Sequence, residues 1–306
     1  MKADLHVHSK FSKRPSQWVL QKIGCPESFT EPLQIYQIAR KRGMDLVTVT
    51  DHNSIDGALE IAHLPDTFIS EEITTYFPED GCKIHLLALN ITENQHREIQ
   101  RLRKNIFELA AYLHGEAIIS IAAHPLYAVN DRLTIRHFEQ MLLLFRNFEL
   151  NGARSDEQNQ SLQWVLSGLR PQDIDRLQNR YDFEAKFEKP WEKTLTGGSD
   201  DHSGLNIART YTRVADAQTM EAFLDGLRSH KTRVMSQAST PLTMAHNLYG
   251  IAYQFYRNKF QVTEMAANDN LLQFADCILT GAAPRNESLL DRFPNLLSLR
   301  KLWTVI

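Results

Sequence analysis

Short apolar, β-rich runs recur through residues 1–200. Nearly every one carries a metal-ligand or phosphate-binding side chain at or near its end. The runs cover 3–8, 45–51, 67–73, 83–89, 117–123, 147–151 and 195–200. Between most of them lie amphipathic stretches that read as helices, the clearest being 31–42, 92–114, 131–146 and 220–230. Alternation of this kind builds an α/β fold. Local signals agree: Gly43 and Gly115 are natural helix stops, and Thr92 with Gln95 makes a capping box. One connection breaks the alternation. The stretch 74–81 is too short for a crossover helix, so the runs on either side of it should pair as an antiparallel hairpin.

The polar residues at the run ends are of one chemical kind. His6 and His8 sit two apart, and so do Asp200 and His202. In an extended strand, residues i and i+2 point to the same side. Each pair therefore aims two ligand-type groups at one point, and imidazole with carboxylate is the set that holds zinc, manganese or iron. The second run leads into Thr50-Asp51-His52, and the third carries Glu71 and Glu72. The fourth carries His85, the fifth ends at His124-Pro125, and the sixth ends at Asn151 with Arg154 close behind. In (β/α) barrels the active site lies at the C-terminal ends of the strands. Any one of these residues alone would pass as a packed or solvated polar group. Their common position makes a polynuclear metal site the better explanation.

Those residues, in that order, resemble the motifs of the PHP (polymerase and histidinol phosphatase) family. The motifs are Asp4-Leu5-His6-Val7-His8-Ser9, Thr50-Asp51-His52, the Glu72 strand, Ile84-His85-Leu86, Ala123-His124-Pro125 and Gly198-Ser199-Asp200-Asp201-His202. The resemblance covers roughly residues 1–235. It implies a distorted (β/α)7 barrel, two or three divalent metal ions (Mn2+, Zn2+ or Fe2+) and phosphoester hydrolysis. It further implies that His6, His8 and Asp200 hold one ion, with Glu72 bridging to a second ion held with His85 and His124. His52 and His202 would hold a third. Glu72 fits the family pattern better than Glu71, and alternation lets only one of the two face inward. Asp51 is expected behind the ligands, orienting one of them. The chain departs from the family where a further Asp or His ligand usually follows the second histidine by five or six residues. Lys13 and Arg14 stand there, and either would suit a phosphate better than a metal.

The chemistry implied is attack on phosphorus by a metal-activated hydroxide. Arg154 and Arg209 are the candidates for gripping substrate phosphate, and Asp200 or His202 for protonating the leaving group. A small phosphorylated metabolite or a nucleotide is the favoured substrate. With 34 basic against 37 acidic residues, net charge is −3, so a long nucleic-acid strand stays open but is not favoured. Two other readings stand beside this one: a metal-bound scaffold without catalysis, and an amidohydrolase-like C–N hydrolase.

Cys25, Cys82 and Cys277 are too few and too scattered for a disulfide framework, which fits a reducing cytosol. The first residues lack a signal peptide's apolar core, and no apolar run is long enough to span a bilayer. A cytoplasmic protein without membrane attachment is the expectation. The segment 155–193 reads as a polar, partly helical insertion. Residues 236–306 read as an α-helical C-terminal extension with helices at 241–259, 264–279 and 288–303, a surface on which a protein partner could dock.

Overall fold

The computed structural model describes residues 1–13, 26–237 and 239–259. The chain divides into two compact units, Met1–Ile251 and Ala252–Ile306. Pro241–Lys259 is helical as expected, whereas the helices expected at 264–279 and 288–303 lie outside the described residues.

Eight strands form two sheets among the described residues. The smaller sheet is antiparallel, with β7 (Thr210–Val214) between β1 (Lys2–Ala3) and β8 (Thr232–Ser236). The larger runs in the order β2 (Ser70–Tyr76), β3 (Lys83–Leu89), β4 (Ile119–Ala122), β5 (Asn147–Asn151), β6 (Thr194–Gly198). β2 and β3 pair antiparallel from Ser70↔Leu89 to Tyr76↔Lys83, the hairpin expected from the short connection. That connection closes when the Gly81 N–H donates to Phe77 O, with Gly81 at φ +71°, where glycine is favoured. β3 and β4 are antiparallel, whereas β4–β5 and β5–β6 are parallel.

The mixed α/β class is as expected, but the sheets do not close into a (β/α)7 barrel. Two runs expected as strands, 3–8 and 45–51, meet their neighbours mainly through single bridges: Val7 with Asp201, Val47 with Thr67, and His52 with Glu72. The physical reason is local. Side-chain oxygens divert main-chain donors from the ladder: the Val7 N–H goes to Thr50 Oγ1 and the Lys2 N–H to Asp45 Oδ2. The helix expected over 92–114 is two helices, Glu93–Leu102 and Ile106–Gly115. The capping box at Thr92 and Gln95 starts the first, and the Asn105 side chain restarts the chain by accepting from the Phe107 N–H. The insertion carries the helices Asp156–Gly168 and Pro171–Tyr181.

Alternation along β3 divides the core. Leu86 and Ala88 join a large cluster with Phe77 and Phe148, while Leu87 and Leu89 join a smaller one with Leu5, Ile121 and Phe223. Leu87 is paired with Glu72, so the polar cluster described below occupies the face of the second set.

Candidate metal centre

Main-chain hydrogen bonds draw the ligand-bearing segments together. The Asp200 N–H donates to His6 O at 2.7 Å, and the His8 N–H to Asp201 O at 3.0 Å. The Thr50 N–H reaches Val7 O at 2.9 Å, and the Glu72 N–H reaches Asp51 O at 3.1 Å. Gly198 permits the first of these approaches, because a Cβ there would lie 2.4 Å from His6 Cβ. The chain then turns sharply at the site. Asn53, His124 and Asp200 have φ of 54°, 30° and 52°, a left-handed region uncommon for side-chain-bearing residues and typical of functional positions.

Glu72 is the centre of the cluster, and its two oxygens face different partners. Oε2 lies 3.2 Å from both His6 Nε2 and His8 Nε2, and 3.0 Å from His52 Nδ1. Oε1 lies 2.8 Å from His85 Nδ1 and 3.1 Å from His124 Nε2. Asp200 Oδ1 stands 3.5 Å from His6 Nε2, 3.4 Å from His8 Nε2 and 3.6 Å from His202 Nδ1. Four overlapping groups have ligand atoms close enough to share an ion: His6–His8–Glu72, His6–His124–Asp200, His52–Glu72–His85 and His8–His52–His202.

Hydrogen bonds behind the ligands fix which ring atoms face inward. A carboxylate only accepts, so His6 Nδ1–H donates to Glu149 Oε1 at 2.8 Å and leaves a lone pair on Nε2. Ser12 Oγ donates to Asp51 Oδ1 at 2.8 Å, and so accepts from His8 Nδ1–H at 2.9 Å. That leaves His8 Nε2 with a lone pair too. The two Nε2 atoms are 3.0 Å apart, and both face Glu72 and Asp200. Lone pairs and carboxylates crowded in a buried pocket repel one another unless they share a cation.

The electrostatics of the pocket favour such a cation. Burial opposes charge on His6, yet Glu149, Asp200 and Glu72 hold its pKa well above the ordinary value. Burial equally opposes charge on Glu72, yet His52, His85 and His6 hold it well below the carboxylate range. Asp200 is likewise held well below, against burial, by His6 and its neighbours. His85 and His202 are pushed down to about 4, chiefly by burial. Buried Glu72 Oε2, His52 Nδ1, His85 Nδ1 and His202 Nε2 make no hydrogen bond. The donor set, the inward lone pairs and these unsatisfied atoms all fit divalent ions.

The structure brings together His6, His8, His52, Glu72, His85, His124, Asp200 and His202. Asp51 lies behind them, accepting from Ser9 N–H, Ser9 Oγ and Ser12 Oγ. Arg154 is at the rim, its Nη2 3.6 Å from Asp200 Oδ2 and its guanidinium 3.7 Å from the Tyr127 ring centroid. Arg209 is not drawn into the cluster; its charge acts on Arg42. Lys13 is exposed, and Arg14 lies outside the described residues.

Sequence reasoning missed Glu149 and Glu27. Glu149 accepts from His6 Nδ1–H, from the His124 N–H and from Asn151 Nδ2. Its signal was present: Asn147, Glu149 and Asn151 alternate with Phe148 and Leu150, a polar stripe on a buried strand. Glu27 sits in a loop and has no such periodic mark.

No family model matches the chain. An uncharacterized protein of Methanocaldococcus jannaschii is 41% identical over 80 residues, which is 24% of this chain and 45% of that protein; the match thus spans less than half the length of that relative. Among solved structures, PsfC from Pseudomonas syringae aligns over 82% of this chain and 98% of its own, with TM-score 0.51 and 15% identity. A likeness at that identity is one of fold. The chain shares its fold with PsfC. Two looser alignments accompany it. A candidate metal-dependent phosphoesterase from Bifidobacterium adolescentis has 16% identity, coverage of 73% and 94%, and TM-score 0.42. An amidohydrolase from Chromobacterium violaceum has 12% identity, coverage of 77% and 98%, and TM-score 0.45. The PHP motifs read from the sequence are the segments that converge in the pocket.

Proposed function

We propose that this PHP-type chain is a metal-dependent hydrolase of phosphoesters, acting on a small phosphorylated metabolite or nucleotide. The observation that carries the reading is Glu72. One oxygen faces His6, His8 and His52 while the other faces His85 and His124, the arrangement of a carboxylate shared by two ions. Held there, divalent ions would lower the pKa of water and neutralise charge developing on the phosphoryl oxygens.

The chain's own residues do the rest. Glu149 and the Asp51–Ser12 pair hold His6 and His8 with Nε2 inward. Among the described residues, Arg154 is the candidate cation that stands at the pocket. Its Nε is buried without a hydrogen bond, and Tyr127 supports the plane of a guanidinium suited to bidentate phosphate contact. Asp200 or His202 serves the leaving group. His202 Nδ1 donates to Asp200 O, so both side chains present lone pairs and would relay a solvent proton rather than store one.

The scaffold reading has less support, because every ligand-type residue expected in the pocket is there. The C–N hydrolase reading is less favoured, because Thr50-Asp51-His52 and the late Asp200-x-His202 pair fit a PHP-type site better than an amidohydrolase-like one. The test is hydrolysis of a chromogenic phosphomonoester and a chromogenic phosphodiester with added Mn2+. Chelator-sensitive turnover in wild type that Asp200→Ala lacks is expected, and the preferred ester separates phosphatase from diesterase. Wild-type turnover no greater than that of Asp200→Ala contradicts the reading.

A further inference from the structure

The ligand set for a third ion is short by one residue, with Lys13 and Arg14 where the family resemblance asks for an Asp or a His. The structure brings another carboxylate to the same place from further along the chain. Glu27 is 6% exposed, with Oε2 3.1 Å from His52 Nε2 and Oε1 3.6 Å from His202 Nε2. Its stretch is pinned against the His-x-His segment. The Glu27 N–H donates to Ser12 O at 3.1 Å, Ser28 Oγ donates to His8 O at 3.1 Å, and the Lys10 N–H donates to Thr30 O at 2.9 Å.

The ring atoms that face Glu27 are set by their other partners. His52 turns Nδ1 to Glu72 Oε2 at 3.0 Å and Nε2 to Glu27 Oε2 at 3.1 Å. A neutral imidazole has one N–H and can satisfy only one of those carboxylates. His202 has already committed Nδ1–H to Asp200 O, so its Nε2 lone pair faces the Glu27 carboxylate. His8 stacks on His202 with ring centroids 4.0 Å apart, and the two form a ligand-competent group with His52. The Nε2 atoms of two imidazoles thus lie within 3.6 Å of one buried carboxylate, a donor set suited to a divalent ion.

We propose that Glu27 is the acidic ligand of the ion held by His52 and His202, in place of the residue lost at Lys13 and Arg14. The inference rests on the reading that this pocket holds divalent ions. It makes the third position a complete site of two imidazoles and one carboxylate rather than a decayed one, with its acidic member supplied from the stretch after Pro26.

Mn2+ uptake by wild type, Glu27→Gln and Glu27→Asp, measured by equilibrium dialysis with elemental analysis, tests this. Wild type should take up one more ion per chain than Glu27→Gln at equal free Mn2+. Equivalently, the weakest binding step in Glu27→Gln should weaken by at least the ~10–100-fold that loss of a supporting group costs. Glu27→Asp should keep the extra ion at reduced affinity. Equal stoichiometry and affinity in wild type and Glu27→Gln overturns the assignment of Glu27 while leaving the other ions, and the proposed function, standing. No uptake by wild type overturns both. If Glu27→Gln does not fold, anomalous diffraction from wild-type crystals grown with Mn2+ decides. A peak about 2.2 Å from a Glu27 oxygen and near His52 and His202 is the expected result. A peak at those histidines with Glu27 turned away overturns it.

Discussion

Glu71 and Glu72 are neighbours on β2 and equally buried, yet the two faces of the strand give them opposite chemistry. Glu71 points toward the helix Glu93–Leu102. There it pairs with His96 Nδ1 at 2.9 Å and accepts from Gln100 Nε2 at 2.7 Å. Burial pushes its pKa up. Glu72 is just as deep, but the imidazoles around it overcome burial and hold its pKa well below the usual range. Depth therefore does not decide the charge of a carboxylate; the number and sign of its neighbours do. Glu71 is a packing group that happens to be ionisable, and Glu72 is built to face cations.

Breaking each face separately sharpens that contrast. Glu72→Gln should have the largest effect, weakening Mn2+ uptake by more than ~100-fold, since it removes the carboxylate between two ligand groups. Glu71→Gln should leave uptake unchanged, and dialysis of both variants checks the pair. Asp51→Asn, which loosens the Ser12 contact behind His8, should cost ~10–100-fold in Mn2+ affinity with little change in fold by circular dichroism. Gly198→Ala should lower stability by about 1–3 kcal/mol in urea unfolding, because its Cβ would press on His6 Cβ and Glu149 Oε1. Glu71→Gln should cost only about 1 kcal/mol in the same assay, since an amide retains part of the hydrogen bonding.

The smallest expected effect is one of pH. Burial opposes charge on His96, but the hydrogen bond to Glu71 raises its pKa above 6.5. A raised histidine contributes stability that is fully present below pH 6.5 and lost as pH rises through its folded value. The Tm of wild type minus that of His96→Gln, both metal-free, should therefore shrink between pH 6 and 9. Parallel curves would show that the pair is not coupled.

What could be read from the sequence follows from where periodicity survives. The β2–β3 hairpin was legible because a short connection leaves a chain no other route. The choice of Glu72 over Glu71 was legible because alternation permits only one inward face. Barrel closure was not, because Thr50 and Asp45 take main-chain donors that a ladder would use, which periodicity does not reveal. β7 and β8 were missed because Thr210–Val214 and Thr232–Ser236 carry polar and charged residues that mask a strand pattern. Glu149 was overlooked beside Asn151 although it shares the same stripe. Glu27 could not have been found by spacing, since a loop brings it to His52 and His202.

The most direct test of the account is turnover by chelator-stripped protein reloaded with Mn2+, comparing wild type, Glu71→Gln and Glu72→Gln on a chromogenic phosphomonoester and phosphodiester. The account predicts that reloading restores hydrolysis in wild type and Glu71→Gln. It also predicts that Glu72→Gln stays at least about 10²-fold lower, the scale of losing one preorganised electrostatic group. Equal turnover in Glu72→Gln and wild type, or no metal-dependent hydrolysis of either ester by wild type, would contradict it.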